Sequence, residues 1–234
     1  MKIGIVIPHY GDDKLLKDCL ASIGESGDIV VSIYDCNVNN IGFTAATNYG
    51  IKNLLSHNQQ PDWFWLLNND TKVTKETIKN IFEILPTLEK EVGVVGFKIL
   101  SMENPDLIHH AGTYDCFPAG IHKSGSVRLK QHSVQTNEKW VTFASVLVRR
   151  EIFEEIGFLD KKLFNYFSDS DFCYRARYAG WKVIYQPNFV ILHKIGQSQN
   201  PSPAQIRVLQ EDAIYFQNKW INGKSFFDLD RELL

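Results

Sequence analysis

Four stretches of this 234-residue chain are apolar without alternating: IGIVIP (3–8), DIVVSIYD (28–35), DWFWLLNND (62–70) and VGVVGFKIL (93–100). A strand with one wet face alternates apolar and polar residues. A strand covered on both faces does not, as in a parallel sheet enclosed by helices. The intervening segments read as helices. In 14–23, Leu15, Leu16, Cys19, Leu20 and Ile23 share a face and Gly24 can end the helix. Residues 44–55 read as a second helix with Thr44 as N-cap. In 75–90, Ile78, Ile81, Phe82, Leu85 and Leu88 form a stripe that Pro86 should shorten or kink. This alternation predicts an α/β fold: a Rossmann-like, mostly parallel central sheet flanked by helices, with right-handed crossovers.

The second half has a weaker pattern. Residues 101–138 are rich in Gly, His, Ser and Pro and read as ordered loop or small hairpins. KWVTFASVLVRR (139–150) reads as a strand, REIFEEIG as a short helix closed by Gly157, and DFCYRARYAG (171–180) as a helix closed by Gly180. WKVIYQP and FVILH read as two further strands. In the tail, Ile206, Leu209, Ala213, Phe216 and Trp220 step by three and four, an amphipathic helix expected to pack on the core. That face carries few Lys or Arg with which to bind a membrane surface.

With 44% hydrophobic residues, the chain can build a sizeable core. A net charge of −2 and a pI of about 6.4 argue against nucleic acid as a partner. Cys19, Cys36, Cys116 and Cys173 are far apart and show neither zinc spacing nor a suggestion of disulfides, so a reduced cytoplasmic chain is the simplest reading. Met1 leads directly into KIGIVIP, without a signal-like region or an apolar run long enough to span a bilayer. The expectation is a cytoplasmic protein, soluble or peripheral at the inner face of the membrane.

Ligands of open parallel sheets bind beyond the carboxyl ends of the strands. There the first run ends in Pro8-His9-Tyr10, the second in Asp35 and the third in Asn68-Asn69-Asp70. Each cluster alone could be a turn; three together point to a shared crevice. No GxGxxG or GxxxxGK[ST] is present. A phosphate bound here would need another counter-charge, and a hard divalent cation on a carboxylate would supply it.

These residues resemble the family 2 glycosyltransferases of the GT-A fold. VIPHY is similar to the family's opening VIPxYN. NNIGFTAATNYGI resembles N-x-G-F-x-x-x-x-N-x-G-I, and LLNND resembles the D-x-D region in the form common among rhamnosyltransferase-like members. The block from Trp140 to Ser198 resembles the acceptor-side half: a strand ending in Arg, G-x-F/L-D, E-D-x-D-x-x-x-R, and H-x-x-G-x-S. The ordered set covers roughly residues 3–200.

The resemblance implies inverting transfer of a sugar from a nucleotide donor to an acceptor hydroxyl. It implies one GT-A domain over 1–234: a nucleotide-sugar half (1–100), an acceptor-side and catalytic half (101–200) and a C-terminal helix (201–234). Asp169 would be the general base. Asp70 and His193 would hold Mn2+ or Mg2+. Pro8, Tyr10, Asp35, Asn48, Asn68 and Asn69 would serve the donor. Asp171, Arg175 and Ser198 would contact the acceptor or support the site. The implied partners are a nucleotide-sugar donor and a glycan or lipid-linked glycan acceptor of surface polysaccharide synthesis. The LNND form tilts the donor toward dTDP-rhamnose, with UDP-sugars next.

The chemistry alone asks for the same minimum. Attack by an alcohol needs a base ionised near neutral pH, and an aspartate of ordinary pKa is one. Asp169 precedes a predicted helix, whose dipole favours the charged form. A cation neutralises the departing diphosphate; imidazole with carboxylate suits Mn2+ somewhat better than Mg2+. Plainer roles compete: Asp169 as an N-cap, Asp171 and Arg175 as an i,i+4 ion pair, His193 as a structural histidine. His109 and His110 should point apart on a strand. Phe117 and Pro118 could stack on a sugar or simply pack their loop. The chain also departs from the resembled pattern: D-N-x-S-x-D is lacking after the second strand, the few residues between Asp35 and Asn40 leave no room for the usual helix, Ser168 replaces the Glu of E-D, and Ala144 stands where Gly is common. A catalytically silent nucleotide-sugar-binding or scaffold domain is therefore the alternative. A nucleotidyltransferase is a third, but PHYGDDK lacks the basic Gly-rich loop it would need.

Overall fold

The computed structural model describes residues 1–56, 60–114, 121–194 and 201–221. The first half runs β1 (Ile3–His9), α1 (Asp13–Ile23), β2 (Ile29–Asp35), α2 (Gly42–Leu55), β3 (Trp63–Leu67), β4 (Thr71–Val73), α3 (Lys75–Ile84) and β5 (Val92–Ser101). Short strands follow: β6 (Leu107–His110), β7 (Thr113–Tyr114), β8 (Ile121–His122), β9 (Gly125–Ser126) and β10 (Thr136–Asn137). The rest comprises β11 (Ser145–Arg149), α4 (Arg150–Ile156), α5 (Ser168–Tyr178), β12 (Lys182–His193) and α6 (Pro203–Trp220).

The main sheet has the order β10-β12-β5-β11-β3-β1-β2. β2, β1 and β3 are parallel, as are β5 and β12, and β11 runs antiparallel between β5 and β3. The unpatterned runs are explained by two cores, one on each face. Phe64 and Leu66 pack with Val6, Val146 and Phe172 on one side; Trp63, Trp65 and Leu67 pack with Ile5, Ile7 and Phe97 on the other. The polar tips collect at the carboxyl ends of the parallel strands β1 and β3.

Several expectations are corrected. β2 is an edge strand with Val30, Val31 and Ile33 substantially exposed, not a strand covered on both faces. α2 starts two residues before Thr44, with Ile41 at the cap position and Thr44 buried in the first turn. Pro86 ends α3 in a turn of 3-10 helix. WKVIYQP and FVILH form one long strand with a bulge between Gln186 and Val190. The tail helix packs only through its second half: Asp212, Phe216 and Trp220 are buried, whereas Ile206 and Leu209 are 42% and 40% exposed. Among the described residues, no helix is long and apolar enough to cross a membrane.

Candidate active site

β1 and β3 lie side by side in parallel, so Pro8–Tyr10 and Asn68–Asp70 emerge together. His9, almost wholly buried, joins them. Asn69 donates to its Nδ1 at 2.9 Å and to the Tyr10 carbonyl at 3.1 Å. Its Nε2 lies 2.9 Å from Asp13 Oδ1 and 3.1 Å from Asn37 Nδ2. The β2 tip is tied in by Asn37, whose backbone N–H donates to Asp35 and whose Oδ1 accepts from Gly11 N–H, both at 2.9 Å. His9 belongs to the polar tip expected from sequence, without a role of its own; Asn37 was not singled out.

A cavity of about 490 Å3 opens over these tips. Pro8, Tyr10, Asn68, Asn69 and Asp70 line it; Asp35 does not, although its neighbour Cys36 does. The facing wall is Phe164–Tyr166 together with Ser202, Gln205 and Val208 at the start of α6. None of that wall was anticipated from the sequence. Gly42 explains how closely α2 approaches it: φ is +81°, and a Cβ there would stand 2.5 Å from the Phe164 carbonyl oxygen.

Asp70 and His193, 123 residues apart, are joined by sheet register. β4 pairs with β12 so that Thr71 faces His193, and Lys194 N–H donates to the Asp70 carbonyl at 2.9 Å. The side chains meet with His193 Nε2 3.0 Å from Asp70 Oδ1, each still partly open to solvent. Adjacent donors on an octahedral Mg2+-sized ion, each at about 2.1 Å, lie about 3.0 Å apart. The pair makes a direct hydrogen bond here, and the same spacing is compatible with two adjacent ligands of a divalent cation. No group of three or more His, Cys, Asp or Glu suited to a metal occurs among the described residues, so the remaining positions would fall to ligand oxygens and water.

Asp169 sits inside the first turn of α5, two residues after the cap position. The helix begins three residues earlier than the sequence pattern suggests, so Asp169 is not an N-cap. Phe167, at the cap position, holds φ +63°, the one non-glycine residue at positive φ among those described. Such a conformation costs about 1–3 kcal/mol and persists where surrounding structure dictates it. Asp169 is half-buried. Burial lifts its carboxyl from 3.8 to about 6, against hydrogen bonds from the backbone N–H groups of Ser170, Asp169 itself and Phe143. This differs from the ordinary carboxylate expected and sets the group nearer the range that suits a general base.

The other anticipated residues separate. Asn48 lies away from the cavity and clasps the loop after α4: its Nδ2 donates to the Leu159 carbonyl at 2.8 Å and its Oδ1 accepts from Leu159 N–H at 3.0 Å. Asn48→Ala is expected to lower stability by about 2 kcal/mol through two part-buried backbone groups left unpaired, read as a fall in the unfolding midpoint in urea. Asp171 is wholly buried and accepts from Arg175 Nε and Trp220 Nε1, each at 2.9 Å, and from Lys219 at 2.6 Å. Arg175 also caps the Ile156 and Phe158 carbonyls. Both support the fold of the site; a fully enclosed carboxylate cannot touch an acceptor. His110 turns inward to His122, with Nδ1 atoms 2.8 Å apart, and His109 is only part-buried. Ser198, Phe117 and Pro118 lie outside the described residues.

Residues 25–210 match the family model described as glycosyltransferase like family 2. A curated N-acetylglucosaminyl-diphospho-decaprenol L-rhamnosyltransferase of Mycobacterium tuberculosis is 32% identical over 78 residues, 32% of this chain and 25% of that protein. Among solved structures, GalNAc-T7 with UDP, GalNAc and Mn2+ superposes with a TM-score of 0.62 at 13% identity, over 99% of this chain and 54% of that one. The mannosyltransferase PcManGT of Pyrobaculum calidifontis, in complex with GDP-Man and Mn2+, gives 0.59 at 13% identity, over 99% and 68%. The match thus spans a quarter of the rhamnosyltransferase and about half of GalNAc-T7. At these identities the structural likeness speaks for the fold, which is of GT-A type.

Proposed function

The chain belongs to the glycosyltransferase like family 2, and from that premise we propose that it is an inverting, cation-dependent glycosyltransferase. The donor is a nucleoside-diphosphate sugar, dTDP-rhamnose or a UDP-sugar. The acceptor is a hydroxyl of a glycan or lipid-linked glycan in surface polysaccharide synthesis, reached as a peripheral protein at the cytoplasmic face of the membrane. The observation that carries the reading is the Asp70–His193 pair, carboxylate and imidazole 3.0 Å apart with Asp70 on the cavity wall.

In this reading Asp70 and His193 hold Mn2+ or Mg2+, which supplies Lewis-acid neutralisation of the diphosphate. Pro8, Tyr10 and Asn69 seat the nucleoside and sugar. Asp169 accepts the proton of the acceptor hydroxyl as its oxygen bonds to the anomeric carbon. The bond from that carbon to the diphosphate oxygen breaks, and the electron pair leaves with the nucleoside diphosphate. Attack from the face opposite the leaving group inverts the centre.

A panel of nucleotide sugars tested by thermal shift with and without Mn2+ is the experiment. One donor class should raise the melting temperature only with the cation, since ligand bound to the native state alone stabilises it by an amount set by concentration over Kd. The same donor should then be transferred to an added glycan or slowly hydrolysed by water. No shift with any donor would reject the reading. A donor-binding module without transfer is the second reading. One observation favours it: the Asp35 carboxylate caps its own turn through Asn37 and does not line the cavity. Cation-dependent binding without hydrolysis or transfer would select it.

A further inference from the structure

The Asp212 carboxylate is only 3% exposed and lies in the middle of α6, beyond the family-model match. It accepts three consecutive backbone N–H groups from the cavity wall: Phe164 on Oδ1, and Asn165 and Tyr166 on Oδ2, each at 2.8 Å. The same wall is held from its other side, where the Phe164 carbonyl accepts Thr44 N–H at 3.3 Å beside Gly42. Two residues past Tyr166 the chain has turned through the positive φ of Phe167 into α5, and Asp169 follows. A loop clamped at three successive amides cannot slide, and this clamp sustains the disfavoured turn that aims the first residues of α5.

The geometry points to Asp212 as a positioning residue: through the Phe164–Tyr166 wall it fixes the placement and enclosure of Asp169. The inference rests on the transferase reading for its catalytic consequence, not for its structural one. Tyr215 and Lys219 bond to Asp160, and Lys219 and Trp220 bond to Asp171 on α5; of these, the Tyr215 bond can be removed without altering the contacts to Phe164–Tyr166 or to Asp171.

The test is Asp212→Asn beside Tyr215→Phe, which weakens helix docking without touching the wall. The carboxyl-carbon titration of Asp169, assigned by its loss in Asp169→Asn, is followed by NMR in each. Wild type and Tyr215→Phe should titrate near 6. Asp212→Asn should titrate toward 3.8, because a released wall lets water reach the carboxylate. Hydrogen exchange at residues 164–166 should accelerate in that variant alone. The transfer rate should fall about 100-fold in kcat, as for a base displaced by an ångström. An unchanged Asp169 titration in Asp212→Asn overturns the inference. Should the amide variant not fold, Asp212→Glu keeps the charge on a longer arm and must give an intermediate titration, with an unmoved midpoint again overturning it. If wild type transfers no sugar yet the titration moves, the transferase reading falls and the positioning role stands.

Discussion

Asp169→Asn is expected to abolish sugar transfer and, at the same time, to make the protein more stable at neutral pH. The two effects have one cause. Burial raises the Asp169 carboxyl to about 6, from 3.8 in the unfolded chain. Well below pH 3.8 both states carry the proton and the fold is not penalised. As pH rises from about 4 to about 6, the unfolded state ionises first and stability is lost; above 6 the loss is complete. An amide of the same shape has no charge to desolvate and escapes that loss, which amounts to about 1–3 kcal/mol at pH 7.5. Urea unfolding of both proteins at pH 4 and pH 7.5 measures it: the gain should be present at 7.5 and largely absent at 4. Transfer depends on the same carboxylate as a proton acceptor, and loss of a general base costs about 100- to 10,000-fold. In wild type, kcat/KM should therefore decline below pH 6 with a single acidic limb. Retained transfer in Asp169→Asn would remove Asp169 from the role of base.

The second large effect concerns the cation. Asp70→Ala should eliminate the Mn2+-dependent part of donor stabilisation while leaving the apo melting temperature nearly unchanged. The apo pair contributes one part-exposed hydrogen bond at 3.0 Å, worth about 1 kcal/mol or less. The sheet contacts that bring it together are backbone bonds and survive: Thr71 still pairs with His193, and Lys194 N–H still reaches the residue 70 carbonyl. In wild type at a donor concentration of 100 Kd, ligand adds about 2.7 kcal/mol of stability. Chelation should remove that shift from wild type and change nothing in Asp70→Ala. A full Mn2+-dependent shift in the variant would show that the carboxylate does not bind the ion.

Much of this architecture could be read in advance because burial on two faces writes itself into the chain. The non-alternating runs of β1, β3 and β5 predicted covered strands, and Phe64 and Trp65 indeed enter opposite cores. β2 carries the same pattern and misled, because pattern reports affinity for a core, not whether a neighbour arrives to provide one; it lies at the sheet edge with Val31 exposed. The tail helix misled for the same reason. Its stripe is continuous, but the fully buried residues, Asp212, Phe216 and Trp220, all lie in its second half.

By itself, then, the sequence determined the layered α/β fold, the polar tips of β1 and β3, and the ordered motifs that mark the family. These are local matters of hydrophobicity, spacing and turn chemistry. Only the tertiary structure decided three others. It supplied the strand register that joins His193 to Asp70 across 123 residues, a convergence that the family resemblance implied but local pattern did not. It assigned Asn48 to the Leu159 clasp instead of the cavity. It set Asp212 against three amides of a wall nearly fifty positions earlier. Each depends on where two distant segments pass one another, and a side chain's capacity to accept a hydrogen bond carries no information about which donor the fold will deliver.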